Sequence, residues 1–230
     1  MPGDLLGDAE DFAARLTTLL NGTVTTDAVV AVFTLEADTD AVIVAPRSGE
    51  SLAEAGYVPL SLVPDAHTRA TSPLWLRASY RVSLDDEAEH LAIQSSVFGL
   101  CVNRATGFCP LRIEYDRHKT NKPASHLQIT GDSAGLAYAS GILGRELRRL
   151  QQLHLPTGGR RFRPSLEDLI EFLAQEDLLP SVQPDWQTAL ADGRGDWEVR
   201  QARATVRRAP EHAAEQLRSM GWTVVEPIER

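Results

Sequence analysis

"LWLRASYRVSLDDEAEHLAIQSSVFGLCVNRATGFCPLRIEY" (residues 74–115) decides the fold. It holds three apolar runs, "LWLRASYRVSL" from 74, "LAIQSSVFGLCV" from 91 and "FCPLRIEY" from 108, divided by short polar clusters. Successive side chains of a strand point to opposite faces of a sheet. Leu76, Ala78, Tyr80 and Val82 therefore make an apolar side, and Arg77, Ser79 and Arg81 a polar one. In the third run Cys109, Leu111, Ile113 and Tyr115 share one side while Arg112, Glu114 and Asp116 share the other. "HLQITG" from 126 continues the pattern, with Leu127 and Ile129 inward and His126, Gln128 and Thr130 on the polar side.

Working outward, "AVVAVFTLE" from 28, "AVIVA" from 41 and "VPLSLV" from 58 add strands bounded by Asp, Gly, Pro and Ser clusters. Residues 28–130 are thus expected to form an antiparallel meander with no helix of convincing length between 70 and 130. An amphipathic helix precedes it, since Phe12, Leu16, Leu19 and Leu20 recur at helical spacing between Asp11 and Leu20, and "NG" at 21–22 closes it. After the sheet the character changes. Residues 141–155 form a candidate helix, with "RELRRL" as its charged face. "SLEDLIEFLAQEDLL" follows, with Ser165 and Asp168 as a capping box and Leu166, Leu169, Ile170 and Leu173 as one stripe. "WEVRQARATVRRA" and "PEHAAEQLRSM" predict two more helices, the second with Pro210 near its start and Gly221 past its end. "WTVVE" is a candidate last strand. Strands followed by helices predict an α+β fold. The expected organisation is an N-terminal helix and sheet over 1–135 and a helical portion over 136–230, packed on or beside the sheet, or else one continuous domain.

The 230 residues are 43% hydrophobic and 24% charged, enough for a sizeable core. Asp plus Glu number 32 against 23 Lys plus Arg, a formal charge of −9, which excludes a diffuse basic surface for nucleic acid and makes any polyanion site local. The first twenty residues lack the basic and apolar regions of a signal peptide, and no apolar run approaches a membrane span. A cytoplasmic protein with no membrane partner is the expectation. There Cys101 and Cys109 would be reduced, as two ordinary buried thiols. The hairpin "VNRATGF" between them leaves a cross-strand disulfide open, because pairing of Val102 with Phe108 sets the cysteines opposite each other. Without CxxC spacing they make no zinc site, and no cofactor or metal is expected. GxSxG, HExxH, Rossmann and kinase signatures do not occur.

Chemistry concentrates in "RIEYDRHKTNKPASHLQITGD" (112–132). One sheet face is expected to gather Arg77, Arg81, Arg112, Glu114, Asp116, His126 and Gln128. An imidazole exchanges a proton near neutral pH, a carboxylate orients it, and guanidinium groups hold a phosphate and the charge that develops on it. Such a set suits metal-independent phosphodiester cleavage, with His126 as general base or acid, Asp116 or Glu114 orienting it, and Arg112 with Arg77 or Arg81 on the phosphate. The plainer reading of the same alternation is a solvated sheet face whose charges pair with one another. "RHKTNKPAS", with His118, Lys119 and Lys122, is read as an exposed polar turn or a substrate-facing loop. A second feature is "HLPTGGRRFRPSLED", where Gly158, Gly159, Arg160, Arg161 and Arg163 precede a helix N-terminus. That makes either an anion site or a loop whose arginines pair with carboxylates of this acidic chain.

"RIEYDRHKTNKPASHLQITG", "LHLPTGGRRFRPSLEDLIEFL" and "AEQLRSMGWTVV" resemble an uncharacterised actinobacterial protein family over about residues 75–226, a resemblance that implies no activity. The Arg-x-x-Tyr-Asp segment followed by a histidine-bearing strand is also similar to small ribonuclease toxins of toxin–antitoxin modules, which implies an RNase-like effector of toxin or defence type. The alternatives are a non-catalytic protein-binding partner, an antitoxin or assembly subunit, and a sensor of a phosphorylated ligand. The corresponding partners are RNA or another phosphorylated ligand, or a protein.

Overall fold

The alternating runs become long paired strands in the structure, a computed structural model that describes residues 3–49, 51–62, 72, 74–102, 104–131, 133–134, 152–157 and 163–225. The fold is α+β. The elements are α1 (Leu5–Asn21), β1 (Val30–Leu35), β2 (Asp38–Pro46), β3 (Tyr57–Pro59), β4 (Trp75–Leu84), β5 (Leu91–Cys101), β6 (Leu111–Asp116), β7 (Ser125–Ile129), β8 (Leu155–Pro156), α2 (Leu166–Gln175), α3 (Trp186–Arg208) and α4 (Pro210–Ser219). The eight strands form one antiparallel sheet in the order β1-β2-β4-β5-β6-β7-β8, with β3 pairing on β4 beside β2. Chain order is thus nearly spatial order, as hairpin-linked strands favour.

One face of the sheet carries the core. Val42 and Val44 of β2, Leu76, Ala78, Tyr80 and Val82 of β4, and Phe98 and Leu100 of β5 are buried with Leu16, Leu19 and Leu20 of α1 and Leu166, Leu169, Ile170 and Leu173 of α2. Each fully buried aliphatic or aromatic side chain contributes about 1.5–3 kcal/mol. Phe12, Tyr80 and Phe98 continue the contact as ring pairs 4.9 and 5.1 Å apart. α2 is fixed at its start by the expected box, with Ser165 Oγ accepting from Asp168 N at 3.2 Å and Ser165 N donating to Asp168 Oδ2 at 2.8 Å.

Several boundaries differ from the sequence reading. α1 starts at Leu5, not Asp11, because Asp4 caps Gly7 N at 3.1 Å and the early Ala9 is buried. α2 ends at Gln175, short of the expected 179. α3 begins at Trp186, ahead of the expected "WEVRQARATVRRA", because Trp186 and Leu190 bury against the core and override the helix-weakening Gly193 and Gly195. β3 is the three-residue strand Tyr57–Pro59, which takes in only Val58 and Pro59 of the expected "VPLSLV". Residues 222–225 form no strand. The helix expected over 141–155 lies largely outside the described residues, and its last residue, Leu155, is in β8. The chain divides into compact units of residues 1–190 and 191–230, so the helical portion expected from 136 begins within the first, where α2 completes the core. Among the described residues no helix is long and apolar enough to cross a membrane.

Candidate functional site

Residues directly opposite one another in an antiparallel sheet share a face. The register aligns Tyr57, Arg77, Gly99, Arg112 and Gln128 in one row across β3 to β7. Ser79, Val97, Glu114, His126 and Pro156 form the next, and Ile43, Arg81, Ser95 and Asp116 the third. All seven residues expected on one polar face are on it, opposite Leu76, Ala78, Tyr80 and Val82.

They do not form a single cluster. Arg81 pairs with Asp38 on β2, and the Arg77 guanidinium lies 5.7 Å from the Tyr57 ring centre, so both turn toward the β2–β3 side. Asp116 accepts from His118 N at 3.1 Å and faces Lys119 at 3.8 Å; it serves the turn rather than His126. A bulge at Gln94 of β5 explains His118: the extra residue there brings Gln94 Oε1 to 2.9 Å from His118 Nε2, which makes this segment an anchored turn.

The groups that do meet are Arg112, Glu114, Lys122, His126 and Gln128. Glu114 is the hub. Its Oε1 is 2.9 Å from Arg112 Nε, and its Oε2 is 3.0 Å from Lys122 Nζ and 3.2 Å from His126 Nε2. Arg112 Nη2 donates to Gln128 Oε1 at 2.6 Å. His126 Nδ1 is 3.0 Å from the Pro123 carbonyl, which can only accept, so Nδ1 carries a proton and neutral His126 presents a lone pair at Nε2. That nitrogen approaches Glu114 out of hydrogen-bonding line. Burial, then the nearby Lys122 ammonium, holds the His126 pKa below the ordinary imidazole range against the opposing pull of the Pro123 bond and Glu114. Burial would by itself raise the Glu114 carboxyl, but the Lys122 hydrogen bond and the charges of Arg112, Lys122 and His126 bring it below its ordinary value. Near pH 7 the cluster therefore sets a carboxylate at Glu114 and a neutral imidazole at His126 beside the Arg112 and Lys122 side chains.

Access separates the two functional candidates. His126 is 0% exposed, covered in part by the His154 ring at 4.7 Å, whereas the Arg112 side chain is 35% exposed. Arg112 and Gln128 line an open concavity of about 550 Å³ with Thr106, Gly107, Phe108, Cys109 and Thr130. A guanidinium has five N–H donors in a fixed fork, and Glu114 and Gln128 orient that fork at the concavity wall.

Two cysteines shape this wall. In place of the expected free thiols, Cys101 and Cys109 form a disulfide, because Val102 N bonds Phe108 O at 3.0 Å in the foreseen pairing. Cys109 also lies on the polar face rather than with Leu111 and Ile113. Pro110 interrupts the ladder before β6, and the Cys109 Cβ sits 3.4 Å from the point where a side chain on Gly99 would begin. Gly99 is needed there: a Cβ would meet the Leu111 carbonyl at 2.7 Å. Gly107 takes φ +64° at the hairpin tip, a conformation glycine adopts freely.

The Gly- and Arg-rich loop lies elsewhere. Gly158, Gly159, Arg160 and Arg161 are outside the described residues. Arg163 is on the helix-covered face, its guanidinium 5.3 Å from the Tyr115 ring centre and among Tyr80, Tyr115 and Glu167. Burial lowers its pKa against the pull of those groups, and burial with Glu167 raises the Tyr80 phenol well above its usual value. Arg163 thus stays apart from Arg112 and His126.

Sequence reasoning missed Lys122 as a member of the cluster and passed over His154. Lys122 carried a signal: it is one of two lysines and directly precedes Pro123, whose carbonyl holds His126. His154 carried none, since its place depends on β8 pairing with β7 across a long intervening segment. Among the described residues no group of three or more His, Cys, Asp or Glu is arranged to hold a metal ion. No family model, curated protein or solved structure matches the chain.

Proposed function

We propose that the polar face binds a small anionic ligand, one bearing a phosphate or carboxylate group, and that it binds without cleaving. The observation that carries this reading is the Arg112 fork, oriented by Glu114 and Gln128 and partly exposed on the wall of the concavity. Pre-oriented guanidinium groups recognise phosphate and carboxylate through paired charge-assisted bonds. The volume falls within the ~300–1,000 Å³ usual for small-molecule sites. Thr106 and Thr130 add hydroxyls, and Phe108, 46% exposed, adds an apolar wall for the rest of the ligand.

The phosphodiester-cleaving reading has one supporting observation, the anchored His126 beside Glu114. Against it, a general base must come within hydrogen-bond reach of the proton it takes, and His126 has no exposed surface. In this account His126 and Lys122 set the position of Glu114, which sets Arg112.

The experiment is calorimetric titration with inorganic pyrophosphate, mononucleotides and dicarboxylates, beside incubation with end-labelled RNA and DNA. Binding of at least one anion, lost in Arg112→Ala, with both polymers intact is expected. Cleavage abolished by His126→Ala would replace this reading with the nuclease one. Equal binding by Arg112→Ala would remove the site from this face.

A further inference from the structure

The concavity has a wall that a covalent bond holds in place. Thr106, Gly107 and Phe108 form one side of it, and Arg112, Gln128 and Thr130 form the other. The tip of the hairpin is tied to distant backbone, with Arg104 Nη2 donating to Ser48 O at 3.0 Å and its guanidinium 5.4 Å from the Trp75 ring centre. The returning leg, Phe108 to Pro110, is tied on both sides of Cys109. Phe108 O accepts from Val102 N and Pro110 O from Thr130 N at 2.7 Å, and between them stands the disulfide. The two sulfur-bearing residues are unlike: Cys101 is 0% exposed, whereas Cys109 is half-buried and lines the concavity itself.

We propose that the Cys101–Cys109 disulfide is a redox latch on the anion site: oxidised, it holds the Phe108 leg against Arg112; reduced, it releases that leg and weakens ligand binding. The proposal rests on the reading of the concavity as a ligand site. Reduction is written with a dithiol as the reductant. One thiolate of the dithiol attacks the sulfur of Cys109, the half-buried partner; the Cys101–Cys109 bond breaks, and Cys101 leaves as a thiolate that takes a proton. The second thiolate of the dithiol then attacks the dithiol's own sulfur in the mixed disulfide. Cys109 leaves as a thiolate and is protonated, and the reductant becomes a disulfide. The protein gains two electrons and two protons. Because Cys109 lines the site, a bound anion stands in the path of the first attack, and ligand and reductant oppose each other.

The test uses the full chain, inorganic pyrophosphate as the probe and dithiothreitol as the dithiol. Pyrophosphate affinity is measured for the oxidised chain, the reduced chain and the Cys101→Ser/Cys109→Ser variant, with amide hydrogen exchange followed in each. Reduction and the double variant are expected to weaken binding roughly fivefold or more and to raise exchange at residues 104–110 about tenfold, while Ala78 and Phe98 keep their protection. Saturating pyrophosphate is expected to slow the reaction with dithiothreitol severalfold, because the bound anion shields Cys109 in the concavity wall. Equal affinity in both redox states overturns the latch, as does unchanged exchange at 104–110. Loss of protection at Ala78 and Phe98 also overturns it, by making the bond a staple of the whole sheet. An oxidised chain that ignores pyrophosphate while exchange at 104–110 still responds to reduction overturns the anion-site reading and keeps the redox-controlled hairpin.

Discussion

The two faces of the central sheet are built from the same strands and obey different rules. On the helix-covered face Tyr80, Phe98 and the leucines of α1 and α2 are specified by apolar burial, which is additive and tolerant of partner choice. On the open face Arg112, Glu114, Lys122, His126 and Gln128 are specified by individual ion pairs and hydrogen bonds, and the bonds of Lys122 to Glu114 and of Arg112 to Gln128 leave an unsatisfied group if the partner is lost. The first face is therefore the one that stabilises, and the second is the one on which the proposed ligand site depends.

Substitutions sharpen this contrast in descending order. Phe98→Ala leaves a cavity where a fully buried ring of β5 stood and is expected to cost about 3–5 kcal/mol in a urea melt, with pyrophosphate binding retained by the fraction that stays folded. Glu114→Gln removes the charge that Arg112, Lys122 and His126 share, and a loss of roughly 1–3 kcal/mol is expected. A loss as large as that of Phe98→Ala would erase the distinction between the faces. Ser165→Ala removes the cap of α2 and is expected to cost about 1 kcal/mol with no change on the open face.

A pH series separates the faces without changing the core. The folded-state pKa of His126 lies below its ordinary value, so the unfolded chain binds more protons over the interval beneath about 6.5. Stability is then lost as pH falls from the unfolded value toward the folded one. Glu114, also depressed, contributes stability that is present above its ordinary value and lost in turn at lower pH. His126→Gln is expected to flatten the first part of the acid limb and leave the second. An unchanged limb in that variant would locate the titrating group elsewhere.

Much of this was legible in the chain. Strand alternation names the residues of both faces, and period-3.6 spacing names the stripe of α2, because both follow from local backbone geometry. What escaped depends on the third dimension. The bulge at Gln94 that holds His118, the reversal of Cys109 at Pro110, and the arrival of His154 beside His126 are set by pairing between distant segments. α3 shows the reverse failure. The sequence pattern starts this helix only at Trp197, after Gly193 and Gly195, and burial of Trp186 and Leu190 carries it across them. For the site, sequence brought Arg112, Glu114, His126 and Gln128 to one face; burial decided that Arg112, and not His126, meets solvent.

The most direct measurement is an NMR titration of the oxidised chain with inorganic pyrophosphate, following the Arg112 Nε–H and the amides of Gly107 and Thr130. The account predicts saturable shifts at these three positions with little change at Ala78 and Phe98. Shifts confined to residues 158–161, or none on the open face, would contradict it.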